Sequence, residues 1–161
     1  MRRAAALVVA AVAVYLVWGW LVTSAEDRVR TAVQALAEAL SSEASDPIGQ
    51  VAALGRLRSQ LAEDVVVATG PGTELRGRDA VAGVWQRVRA SGDAVRVRVI
   101  ELTVVVAEDG ASATADGAVE LTIERNGVPE RELREVRTTL VAADGEWRLA
   151  RATLVEAVTP P

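Results

Sequence analysis

The sequence predicts an α+β domain, and three observations carry that prediction. After residue 25, apolar residues recur at helical spacing through the first half of the chain. From Asp93 onward the pattern changes to period two, the period of strands. Asp109-Gly110, Asn126-Gly127 and Asp144-Gly145 then divide that second half into strands joined by tight turns. The expected architecture is three helices packed on one face of a curved antiparallel sheet, preceded by one transmembrane helix.

Residues 4–22 run nineteen positions without a charge. At helical rise they span roughly 28 Å, close to the thickness of a bilayer's hydrocarbon core. Arg2 and Arg3 lie before them, and positive flanks stay cytoplasmic. Tyr15, Trp18 and Trp20 gather toward the other end, where amphipathic rings favour the interface. This reads as a single-pass anchor in an inner (cytoplasmic) membrane, with the domain on the extracytoplasmic side. The alternative is secretion after cleavage of a signal peptide, for which Thr23-Ser24-Ala25 is a passable site. The length of the apolar run and the bulk of Trp18 and Trp20 favour the anchor. The organisation is then a cytoplasmic N-terminus at 1–3, the transmembrane helix at 4–22, the domain at 26–158 and a disordered tail at 159–161.

Within the domain, residues 26–42 place Val29, Val33, Leu36 and Leu40 on one helical face and Asp27, Thr31, Gln34 and Glu38 on the other. Nothing between Val22 and Glu26 forces a turn, so this helix is expected to run on from the membrane span. Asp46 and Pro47 mark a second start, followed by Val51, Leu54 and Leu61 along one face. A short strand is expected at residues 65–67 and a loop at 70–72. Residues 77–90 form a third helix with Val81, Val84, Trp85 and Val88 on its buried stripe, closed by Gly92.

Val95, Val97 and Val99 begin the next strand in one phase, and Ile100, Leu102, Val104 and Val106 continue it in the other. A strand whose faces invert needs a bulge near Val99 and Ile100. Ala111, Ala113, Ala115, Gly117, Val119, Leu121 and Ile123 then alternate without a break, small residues first and large ones after. Something bulky must press on the small half, or a cavity must lie there. Residues 132–142 and 147–158 complete the sheet.

Composition removes whole classes of chemistry. The chain has no Cys and no His, and all 18 basic residues are Arg. Thiolate, imidazole and Schiff-base lysine mechanisms are therefore closed, and no cluster has metal-ligand spacing. The net charge is −4, and removing the two positive charges of Arg2 and Arg3 takes it to −6. That balance argues against nucleic-acid phosphates as a partner. No Gly-rich phosphate loop or nucleophile elbow is present, and no cofactor is implied.

The order of elements resembles the nuclear transport factor 2-like superfamily, the cone-shaped fold shared with SnoaL-like polyketide cyclases and ketosteroid isomerases. Three stretches carry the resemblance. Leu61-Ala62-Glu63-Asp64-Val65-Val66-Val67 is similar to the family's acidic step from helix into first strand. Gly77-Arg78-Asp79-Ala80-Val81, running on to Trp85, is similar to its glycine-led third helix. Asp144-Gly145-Glu146-Trp147-Arg148-Leu149 is similar to its final turn and strand. For catalytic members the resemblance implies an acidic base with a Tyr or His donor in the cone. This domain has neither donor, so Asp64 would act alone, and no catalytic residue is assigned.

The ligand-pocket candidates are Asp64, Trp85, Thr139, Arg151 and Thr153. Asp64 can be a raised-pKa base or a solvated cap at a helix-to-strand junction. Trp85 can cover a ligand or fill the core, and Trp147 reads as sheet packing. Arg151 and Thr153 interrupt the face of Trp147, Leu149 and Val155, while Arg137 and Thr139 interrupt a row ending at Val141. If those faces look into the cone they give an apolar pocket its polar contacts. If they look outward they form a solvated or dimerising surface. The function expected is a membrane-anchored, non-enzymatic protein-interaction or assembly module, with the membrane, a second copy or a protein as partner. The alternatives are a binder of a small apolar ligand and an isomerase or lyase of the SnoaL-like kind. A ligand-sized cavity favours the binder, and a filled cone with an exposed apolar sheet favours the module.

Overall fold

The computed structural model describes residues 24–41, 47–70, 72–125 and 127–155. The expected anchor at 4–22, Asp46, Asn126 and the tail at 159–161 lie outside the described residues. Among the described residues no helix is long and apolar enough to cross a membrane.

The first helix, α1 (Ala25–Leu40), has its own start. Ser24 is extended, with φ −59° and ψ 154°, and its side chain accepts the N–H of Asp27 at 3.0 Å. That is an N-cap, and Glu26 and Asp27 in the first turn suit the positive end of the helix. The expected uninterrupted run from residue 22 into this helix is thereby corrected, because a small hydroxyl residue begins the helix anew. The amphipathic reading holds: Val29 and Ala37 are buried, and Asp27, Thr31, Gln34 and Glu38 are exposed.

Helix α2 (Pro47–Gln60) buries Ala53 and Leu57; of the expected row, Leu54 packs against the core and Leu61 is buried, but Val51 is 72% exposed. Leu61 itself is not helical. It opens strand β1 (Leu61–Gly70), far longer than the expected three residues. A second strand, β2 (Thr73–Arg76), pairs back on β1 where only a loop was expected. Helix α3 (Arg78–Ala90) follows Gly77, whose φ of 89° lets the chain turn directly from strand into helix.

Four long strands complete the fold: β3 (Ala94–Val106), β4 (Ser112–Arg125), β5 (Val128–Ala143) and β6 (Glu146–Val155). The sheet order is β2-β1-β6-β5-β4-β3. Strand β1 runs parallel to β6, so the six-stranded sheet is mixed rather than wholly antiparallel. The expected bulge is present, with Val99 opposite Val119, Glu101 opposite Ala118 and Ile100 unpaired between them.

The core has two parts. Leu57, Leu61, Val65, Trp85, Leu149 and Ala152 unite the helices with the β1 and β6 side of the sheet. Val29, Val104, Ala113, Ala115, Leu140 and Trp147 form the other part. Here the small half of β4 is explained, since Val29 of α1 and Trp147 of β6 press on Ala113 and Ala115. Leu57, Leu61 and Leu140 are essentially solvent-free, and each such burial contributes about 1.5–3 kcal/mol.

Candidate functional site

The larger residues of β4 have a different fate. Val119, Leu121 and Ile123 face not a packed core but a cavity of about 450 Å³ between the helices and the sheet. The volume is within the range of small-ligand sites. Its floor comes from alternate residues of β3, β4 and β5, and its roof from α1 and α3 through residues such as Leu36, Leu40, Val84, Trp85 and Val88. Its wall is almost wholly apolar. Val88 is 40% exposed at the end of the helical stripe, where the cavity opens.

Two devices hold the cavity open. One is the β3 bulge, which turns Val99 and Leu102 to the same side although two residues lie between them. The other fixes the ends of the helical roof. The hydroxyl of Ser41, just past α1, accepts the N–H of Val97 at 2.7 Å and lies within donating distance of both Val97 O and Ala37 O. The indole N–H of Trp85 donates to Leu40 O at 3.4 Å. Both bonds engage the C-terminal end of α1, whose last carbonyls have no partner within the helix.

Polar groups on the wall are few. Thr138 is buried, but its hydroxyl donates to Ala115 O at 2.8 Å and is consumed there. Arg89 lies over the Trp85 ring at 5.5 Å from the centroid. Arg134 points inward from β5 and forms an ion pair with Glu132. Glu101 is the sole carboxylate residue on the cavity lining among the described residues, and it is exposed at the bulge. No group of side chains among the described residues could hold a metal ion.

The candidate residues separate cleanly against this geometry. Trp85 is both things foreseen for it, a core residue and part of the cavity roof. Asp64 is exposed at the start of β1 and does not line the cavity. Arg151 and Thr153 look out of the cone. Leu149 pairs with Leu140 and Arg151 with Thr139, leaving Ala150 as an extra residue, so β6 inverts and sends Ala152 and Leu154 inward. Thr139 and Arg137 lie on the same outer face. There Arg137 Nε donates to Asp116 at 3.0 Å, and that hydrogen bond, with the carboxylate's charge, raises the guanidinium pKa further.

Sequence reading missed Arg134, Thr138 and Arg89. The signal for the first two was present: Arg134, Val136, Thr138 and Leu140 alternate as regularly as the Arg137 row, in the opposite phase. Only the pairing with β4 decides between the phases, because it sets Val136 opposite Gly117 and Arg134 opposite Val119.

The architecture has many counterparts. A protein of unknown function from Mycobacterium tuberculosis superposes with a TM-score of 0.65 at 19% identity, over 80% of this chain and 69% of that one. An NTF2-like protein with a cystatin-like fold from Novosphingobium aromaticivorans gives 0.63 at 18% identity, over 84% and 82%. A ketosteroid isomerase-like protein from Erwinia carotovora atroseptica gives 0.63 at 17% identity, over 86% and 100%. At these identities the likeness is one of fold. No curated protein matches the sequence. The model of the SnoaL-like domain matches residues 29–154, which span α1 to β6, and the chain belongs to that family.

Proposed function

We propose that this domain binds a small apolar ligand in its cone without transforming it, and that residues 4–22 hold it at a membrane. The observation that supports ligand binding is the open cavity of about 450 Å³ with an almost wholly apolar wall. Empty apolar volume on this scale forgoes packing that a filled core would have, and a ligand restores it. A non-catalytic role is supported by the wall's chemistry. Asp64 is solvent-exposed and off the cavity lining, so its carboxylate does not reach a ligand held in the cone. Membrane attachment rests on the charge-free run at 4–22 and the two arginines before it.

Self-association through the outer sheet face is a second reading. It is favoured by exposed Val105, Leu133 and Val155, which stand among charged residues on that face. Native mass spectrometry of the full-length protein released from detergent tests both readings. Ligand binding is expected to show as added mass lost on collisional activation, and self-association as a dimer. A bare monomer that takes up no apolar compound would overturn both.

A further inference from the structure

Resting on that reading of the cavity, we infer that its ligand is an amphiphile, with an apolar body and an anionic end held at the cone mouth by Arg134. The cavity has two unlike ends. One is closed by Leu57, Leu61, Ala115 and Leu149, all buried. The other is bounded by partly exposed residues, and Arg134 belongs to it. Val97 is paired with Leu121, which is paired with Glu132, and Arg134 is the next inward residue along β5.

Arg134 is inward-facing and its side chain is 30% exposed, so its guanidinium meets both cavity and solvent. Its partner Glu132 is more exposed and stands nearer the rim. A ligand with a purely apolar end would strip water from Arg134 and return nothing, which carries a desolvation cost. A carboxylate, sulfonate or phosphate end would meet a fork of guanidinium donors suited to it. Glu132 competes for those donors, so it sets the affinity as well as the geometry of Arg134.

The test compares decanoate with decanol, which share an apolar chain and differ in the charged end. Calorimetric titration of the full-length protein should give about tenfold tighter binding of decanoate. Arg134→Gln should abolish that preference, whereas Glu132→Gln should widen it severalfold. Partitioning into a solubilising micelle differs between the two compounds but is the same for every variant, so it cancels from the change in preference on mutation. Equal binding of the two compounds by the unmodified protein, or a preference that survives Arg134→Gln, would overturn the inference while sparing the apolar-ligand reading. Binding of neither compound would overturn both.

Discussion

The carbonyl oxygen of Glu101 lies so close to Gly117 that a Cβ at position 117 would stand 2.2 Å from it. The contact is between the bulge of β3 and the middle of β4, and backbone cannot yield as a side-chain tip can. Gly117→Ala should therefore push the two strands apart and cost about 1–3 kcal/mol, the range for overpacking a close contact. Urea unfolding measures it. A loss below about 0.5 kcal/mol would mean that the bulge relaxes freely.

The tie between Ser41 and Val97 makes a separate prediction. Ser41→Ala leaves the part-buried Val97 N–H without its 2.7 Å acceptor and frees the end of α1 from the sheet. The expected cost is about 1–2 kcal/mol. Hydrogen exchange at Val97 should quicken more than at Val104, which lies further along the same strand. Equal quickening at both would indicate a global loss of stability rather than a local release.

Helix α2 distinguishes the structural reading from the periodic one. Leu57→Ala should cost about 2–5 kcal/mol, because the side chain is solvent-free in the core. Val51→Ala should fall within about 0.5 kcal/mol, since that side chain is 72% exposed. Thermal melts of the two variants provide the comparison, and similar losses would contradict the burial of this helix.

Asp64→Asn should leave the affinity for apolar compounds within about twofold, because Asp64 is exposed and off the cavity lining. Fluorescence titration of the variant is sufficient. A larger change would return Asp64 to the site.

Much of this fold is legible in the residues themselves. Local rules were enough for the exposed face of α1, the bulge after Val99 and the turn at Asp144-Gly145, where both residues have positive φ. Strand β2 was not legible, because four residues that include Thr73, Glu74 and Arg76 have no apolar alternation and owe their form to pairing with β1. The cap at Ser24 was readable in kind, yet the apolar run before it suggested continuity. The site was harder. The facing of Arg151 and Thr153 stayed open in the sequence, because it is decided by a bulge at Ala150, between Leu149 and Arg151, that no residue type announces. Arg134 and Thr138 alternate visibly, but alternation alone does not say which phase faces the helices. Facing is decided by partners distant in sequence, and the cavity exists only once those partners meet.

If the space between α1, α3 and the sheet is a ligand site, filling it must abolish or weaken binding. Val119 projects into the cavity from β4, opposite Val99 and Arg134. Val119→Trp should occupy that volume at a stability change of no more than about 1–3 kcal/mol. The measurement is fluorescence titration with the neutral apolar probe N-phenylnaphthylamine, comparing the unmodified full-length protein with this variant. Saturable binding is expected, weakening at least about tenfold on filling, the scale expected when a ligand loses its pocket. Undiminished binding by a folded Val119→Trp variant would contradict a ligand site there.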